Sequence, residues 1–246
     1  ADGLVVSKID ADKKIGVVLE VNAETDFVAK NEKFVKFVDD VAATIVAENP
    51  ASVEELLTKP CADTGMTVEE DLREKIQTIG ENMKIRRFER LEGDLVSYVH
   101  GGGKIGVMVQ FDTDVAGKEG FEEYGRNVAM QIAAIAPEYL DESCVPAERI
   151  EKEKEILTAQ AINEGKPAAI AEKMVVGRLK KFFKDICLMD QIYVKDNEKT
   201  IAQYTEDTAK KLGGSIKVTR FVRFEKGEGI EKKEDNFAEE IANMVK

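Results

Sequence analysis

Lys84-Ile85-Arg86-Arg87-Phe88-Glu89-Arg90-Leu91-Glu92 and Lys217-Val218-Thr219-Arg220-Phe221-Val222-Arg223-Phe224-Glu225 follow one pattern. Each is introduced by an apolar residue and a glycine, Ile79-Gly80 and Leu212-Gly213, and the two runs lie 133 residues apart. Earlier in the chain, Gly3-Leu4-Val5-Val6-Ser7-Lys8-Ile9 runs parallel to Gly93-Asp94-Leu95-Val96-Ser97-Tyr98-Val99, and Lys14-Ile15-Gly16-Val17 recurs as Lys104-Ile105-Gly106-Val107, both 90 residues on. Val41, Ile45 and Pro50 recur 87 residues later as Val128, Ile132 and Pro137. Matches in the same order at near-fixed offsets are the mark of an internal duplication.

The repeated unit reads as a hairpin, a helix, a helical return and a third strand. Ile15, Val17, Leu19 and Val21 alternate as strand residues do, and so do Ile216 and Val218. Phe34, Val38, Val41 and Ile45 recur at helical spacing, which predicts an amphipathic helix across the sheet. Thr67-x-x-Glu70 is a capping box, and Gly80 suits the far end of that helix. The expected fold is α+β: two duplicated antiparallel-sheet and helix subdomains, an inserted helical coiled-coil hairpin and a C-terminal helix. The expected boundaries are 1–92 for a core N subdomain, 93–140 with 186–226 for a core C subdomain, 141–185 for the hairpin and 227–246 for a C-terminal module.

The departures from symmetry carry the functional signal. The drop in offset from 90 to 87 gives the first copy three extra residues between hairpin and helix, within Asn22-Ala23-Glu24-Thr25-Asp26-Phe27-Val28-Ala29-Lys30-Asn31-Glu32. An aromatic, Phe27, stands there beside the carboxylate of Asp26 in a polar connection. Either Phe27 folds back on its own core as a staple, or the pair is a probe for another protein. The rise from 87 to 133 places 46 extra residues in the second copy, between Pro137 and Gly213. Pro146 and Ala147 open a helix through Ile150, Leu157 and Ala161; Gly165-Lys166-Pro167 breaks it; a second helix carries Ile170, Met174, Val175, Leu179 and Phe182. Such a pair forms a projecting antiparallel arm for docking or dimerisation, or packs as a cover. Phe237, Ile241 and Met244 share a stripe after the Gly227-Glu228-Gly229 break, so the tail packs on its own core or on a partner.

With 246 residues the chain can bury a substantial core of one or two units. Its 48 acidic and 36 basic residues leave a net charge of −12, which repels nucleic-acid phosphates. The clusters Arg86, Arg87, Arg90 and Lys180, Lys181, Lys184 read as solvated faces, so the expected partner is a protein and not nucleic acid. No apolar run approaches the ~18–20 residues of a membrane span, and no signal-peptide pattern stands at the amino end. Three separated cysteines and one histidine, His100, argue against a zinc site or a disulfide framework and for reduced thiols inside a cell. Gly101-Gly102-Gly103-Lys104-Ile105-Gly106 satisfies the letter of a dinucleotide fingerprint but joins two strand patterns, which makes it a hairpin turn. No acid/base dyad or nucleophile-base pair is legible, and neither an enzyme activity nor a cofactor is expected.

Thr25-Asp26-Phe27-Val28-Ala29-Lys30-Asn31-Glu32, Ile79-Gly80-Glu81-Asn82, Gly165-Lys166-Pro167 with Ile170-Ala171-Glu172-Lys173-Met174-Val175, and Val222-Arg223-Phe224-Glu225 with Gly227-Glu228-Gly229-Ile230-Glu231 together resemble the translation elongation factor Ts family. The resemblance spans essentially the whole chain. It implies a guanine nucleotide exchange factor that promotes GDP release from elongation factor Tu, acting by binding and not by chemistry. It also implies that the chain is the family's core without the small amino-terminal helical domain that docks on the G domain. Carried over, Asp26 and Phe27 match the pair that intrudes beside the nucleotide and magnesium site. Ile79 and Gly80 match positions that press on a G-domain helix, and His100, Val194 and Met244 match further contacts. The inserted hairpin resembles the family's dimerisation module, which implies a possible homodimer. The implied location is the cytoplasm, with a mitochondrial matrix or chloroplast stroma as alternatives. The rival reading is a non-catalytic scaffold or oligomerisation protein using the arm; it leaves the extra residues around Phe27 unexplained.

Overall fold

The computed structural model describes residues 1–230 and Met244. In chain order the described residues form β1 (Asp2–Asp10), β2 (Ile15–Ala23), α1 (Glu32–Glu48), α2 (Val53–Thr58), α3 (Val68–Ile79), β3 (Met83–Glu92), β4 (Asp94–His100), β5 (Ile105–Thr113), α4 (Phe121–Ile135), α5 (Ala147–Asn163), α6 (Ala168–Ile186), β6 (Ile192–Tyr193), β7 (Asp196–Thr200), α7 (Ile201–Leu212) and β8 (Ile216–Glu225). The fold is mixed α+β with small antiparallel sheets, ordered β1-β2-β3, β4-β5-β8 and β6-β7.

The ladders of the two larger sheets share one register. Leu4 pairs with Val21 and, 90 residues on, Asp94 pairs with Phe111. Val18 pairs with Glu89, as Met108 pairs with Val222, offsets of 90 and 133. A register shift falls at Glu20/Val21 in one sheet and at Gln110/Phe111 in the other. The cause is alternation on strands with two buried faces, since a slip of one residue would exchange the faces. Val17, Leu19 and Val21 pack with Phe34, Phe37, Val38 and Ile45 of α1. Val107, Val109 and Phe111 pack with Phe121, Tyr124 and Val128 of α4. The residues between, Val5, Val18, Leu91, Met108, Val222 and Phe224, form a third cluster where the sheets face each other. The layers therefore run helix, sheet, sheet, helix.

The sheet-to-sheet contact is reciprocal. A Cβ on Gly16 would fall 2.2 Å from Met108 Sδ and 2.9 Å from Leu95 Cδ1. On Gly106 it would fall 2.6 Å from Val5 Cγ1 and 3.5 Å from Val18 Cγ1. Glycine lets the strands close at both places. Helix ends also match: Thr67 with Glu70 and Thr200 with Gln203 form capping boxes, and Gly80 (φ 81°) and Gly213 (φ 80°) close the same helices in the left-handed region. Arg90 Nη2 donates to Val46 O at 3.0 Å in the last turn of α1, and Arg223 Nη2 to Ala133 O at 3.1 Å in the last turn of α4.

The arginine cluster near residue 87 is not a solvated face. Glu20 is wholly buried, accepting from Arg86 Nη1 at 3.0 Å, Arg87 Nε at 2.7 Å, Asn22 Nδ2 at 2.9 Å and Gly227 N–H at 2.7 Å. Burial works to raise this carboxyl, but the bonds from Gly227, Asn22 and Arg87 outweigh it and hold it below its ordinary value. Arg87 also lies over the Phe224 ring, 4.2 Å from its centroid. A buried carboxylate on β2 recruits these cations, which is why a pattern read as surface turns inward.

Helices α5 and α6 pack on each other with Leu157, Ala161 and Ala171 buried, while Ile156, Ile162, Ile170 and Val176 stand exposed. Their root is a backbone splice: Glu138 and Tyr139 N–H groups donate to Ile186 O, and Leu188 N–H returns to Tyr139 O. The β6-β7 hairpin that follows has no counterpart in the sequence reading. The expected tail helix, with Phe237 and Ile241, lies outside the described residues; Met244 is in helical conformation and 85% exposed.

Candidate partner-binding site

The polar connection after β2 resolves into anchors and an exposed aromatic. Val28 is 3% exposed and seated in the core with α1, while Phe27 beside it is 81% exposed. Phe27 is therefore not a staple; Val28 does that work. A short 3-10 turn, Val28–Lys30, leads into α1, whose Asn31 cap accepts from the Lys33 and Phe34 N–H groups. On the other side, Thr25 N–H donates to Glu81 Oε2 at 3.1 Å and the Thr25 hydroxyl donates to Glu81 Oε1. Asp26 is exposed between these anchors.

Glu81 directly follows Ile79 and Gly80, the half-buried and exposed residues that end α3. The Thr25–Glu81 bonds thus bring Asp26 and Phe27 to the same corner as Ile79 and Gly80, where Ala23 pairs with Met83 at the end of the ladder. The β4-β5 turn reaches this end of the sheet too. Val5 N–H donates to Gly103 O at 2.9 Å, and Gly103 lies against Leu4, two pairs from the Asp2–Ala23 end. His100 stands exposed at the base of that turn, with Tyr98 Oη 3.0 Å from its Nδ1.

Val194 sits elsewhere, on the β6-β7 turn, 53% exposed near the also exposed Ile192. Gln131 of α4 holds that turn, accepting from Val194 N–H at 2.9 Å and donating to Ile192 O at 3.1 Å. Sequence reading named neither Gln131 nor the role of Glu81 and Thr25. The run Ile79-Gly80-Glu81-Asn82 was a signal for Glu81, but its partner lies 56 residues away.

Among the described residues no group of three or more His, Cys, Asp or Glu side chains is placed to hold a metal ion. Burial pushes the Cys61 thiol up to about 11 and the Cys187 thiol to about 12, which keeps both protonated at neutral pH. No helix among the described residues is long and apolar enough to cross a membrane.

Two sheet-and-helix halves present an exposed aromatic held at one corner. The family model described as Elongation factor TS matches residues 24–228. Elongation factor Ts of Clostridium perfringens is 52% identical over 247 residues, covering 99% of this chain and 81% of that protein. Elongation factor Ts of Clostridium botulinum is 48% identical over 248 residues, and that of Clostridium novyi 49% over 251, each covering all of this chain and 81% of the relative. The chain belongs to the elongation factor Ts family, and its role is nucleotide exchange in translation elongation. Membership does not favour the scaffold reading.

Proposed function

We propose that this chain releases GDP from elongation factor Tu by inserting Asp26 and Phe27 beside the nucleotide and magnesium site. The observation that carries the reading is an 81% exposed phenylalanine on a loop fixed on both sides, by buried Val28 and by Glu81. Such a ring is presented for burial in a partner, and burying it contributes roughly 1.5–3 kcal/mol. An exchange factor must bind the nucleotide-free partner more tightly than the loaded one, and linkage then makes it weaken nucleotide binding by the same factor. A Phe27 wedge satisfies this if it fits only where partner helices have moved apart. Asp26 adds a negative charge that repels the phosphates.

Ile79 and Gly80 press on the partner from the same corner. His100, Val194 and Met244 supply further contact and act in binding, not in prying. The two sheet-and-helix units are duplicated subdomains, with bounds at 1–92 and at 93–140 plus 186–226. Residues 141–185 form a coiled-coil arm whose exposed Ile156, Ile162, Ile170 and Val176 suit a homodimer, and 227–246 form a C-terminal module. Action is by protein binding in the cytoplasm, without direct contact to nucleic acid or membrane.

The test is release of labelled GDP from elongation factor Tu over a titration of the chain. Phe27→Ala is expected to lower the maximal rate about 10- to 100-fold, the kinetic equivalent of the burial energy. Its melting temperature stays within about a degree, because an exposed side chain leaves no cavity. Unchanged release by the variant contradicts the proposal.

A further inference from the structure

The two halves tie the same pair of loops with one carboxylate, but from opposite sides. In the second half Asp114, just after β5, accepts from Ser215 N–H at 2.9 Å. Gly214 is required there, since a Cβ would fall 2.2 Å from Asp114 Oδ1. The first-half counterpart of Gly214, 133 residues earlier, is Glu81, and the counterpart of Asp114, 90 residues earlier, is Glu24. Glu24 is exposed, and the tie instead runs from Glu81 to the backbone and hydroxyl of Thr25. The carboxylate that makes the tie thus lies on the connection after β5 in the second half and just past the Gly80 cap of α3 in the first.

We infer that Glu81 is the positioning residue of the exchange probe, fixing the pose of Asp26 and Phe27 relative to Ile79 and Gly80 through its two bonds to Thr25. The inference rests on the exchange reading above. Phe27 has little packing of its own, so its direction is set by its anchors. Val28 fixes the carboxyl side in the core; Thr25 is the anchor on the amino side. Glu81 also couples the probe to Gly80, whose left-handed backbone (φ 81°) closes α3, so both contact elements reach the partner as one body. A probe freed on one side still docks but spends less time in the geometry that opens the partner.

The experiment titrates Glu81→Ala, Glu81→Gln, Thr25→Val and Phe27→Ala against labelled GDP release from elongation factor Tu, with melting curves for each. Glu81→Ala is expected to lower the maximal rate about tenfold, as for loss of a hydrogen-bonded tie, with half-saturating concentration changed less than about threefold. Glu81→Gln keeps an acceptor for the Thr25 N–H and restores most of the rate. Glu81→Ala added to Phe27→Ala costs less than it does in the native chain, because only the pose of Asp26 is left to lose. Should Glu81→Ala fold poorly, Thr25→Val, which removes only the hydroxyl bond, is expected to lower the maximal rate about threefold without moving the melting temperature. Full maximal rate in folded Glu81→Ala or in Thr25→Val, while Phe27→Ala is slow, overturns the positioning role alone. Full rate in Phe27→Ala overturns the exchange reading beneath it.

Discussion

Residues 24–27 separate the end of β2 from buried Val28, whereas Asp114 alone separates the end of β5 from buried Val115. The flanking ladder register and the buried valine match, although α1 starts four residues after Val28 and α4 six residues after Val115. The second half therefore shows the shortest link this architecture needs, and the first half shows that link interrupted by three residues, two of which are Asp26 and Phe27. A connection longer than the fold demands, with its aromatic turned to solvent, is what the proposed insertion of Asp26 and Phe27 into a partner accounts for.

A second difference concerns the central strand of each sheet, where the first half buries its polar residue and the second leaves it half-buried. Glu20 of β2 stands where β5 has Gln110, which donates to Glu92 O at 2.8 Å and accepts from Thr219 Oγ1 at 3.0 Å. Glu20→Gln imports the neutral solution but leaves Arg86 and Arg87 without their anion. The expected loss is about 3 kcal/mol in chemical denaturation, the cost of breaking a buried pair from one side. Because the Glu20 carboxyl lies below its ordinary value of 4.5, its stabilisation is complete above that value and drains as pH falls through the folded-state value. The native chain is thus expected to lose stability on acidification below that range more steeply than Glu20→Gln; parallel pH profiles would remove the contrast.

The reciprocal glycines give a smaller contrast. Gly106→Ala drives a methyl against Val5, a stiff β-branched side chain, while Gly16→Ala meets the flexible end of Met108 and a Leu95 methyl. Overpacking is expected to cost about 2 kcal/mol at Gly106 and about 1 kcal/mol at Gly16 by urea titration. The reverse order would mean that the sheets do not close as described.

Much of this pairing was legible in the sequence, for a physical reason. Strands buried on both faces hold their register tightly, so the offsets of 90 and 133 in the residues reappear as offsets in the ladders. Thr67, Glu70 and Gly80 announced their helix because caps are local. Three features were not legible. The β6-β7 hairpin contains Asp196-Asn197-Glu198-Lys199, which lacks alternation and strand-forming side chains, and it is held by Gln131 of a distant helix. Arg86, Arg87 and Arg90 read as surface because their partners, Glu20 and the end of α1, are remote. The Thr25–Glu81 tie joins two loops, where no periodicity exists to betray a contact.

The smallest expected effect is at the helix ends, where Asn49 (φ 45°) and its counterpart Ala136 (φ 51°) both adopt the left-handed region. Asparagine adopts that region at less cost than alanine. Ala136→Asn is therefore expected to gain about 0.5 kcal/mol in thermal unfolding, with exchange unchanged. A loss would show that the two ends differ in more than backbone conformation.

The most direct measurement deletes Thr25, Asp26 and Phe27, joining Glu24 to Val28 so that the first connection has the length of the second. Melting and labelled GDP release from elongation factor Tu are then followed on the same sample. The account predicts a cooperatively folded chain that still binds the partner and no longer accelerates release. A folded deletant that exchanges nucleotide at the native rate would contradict it.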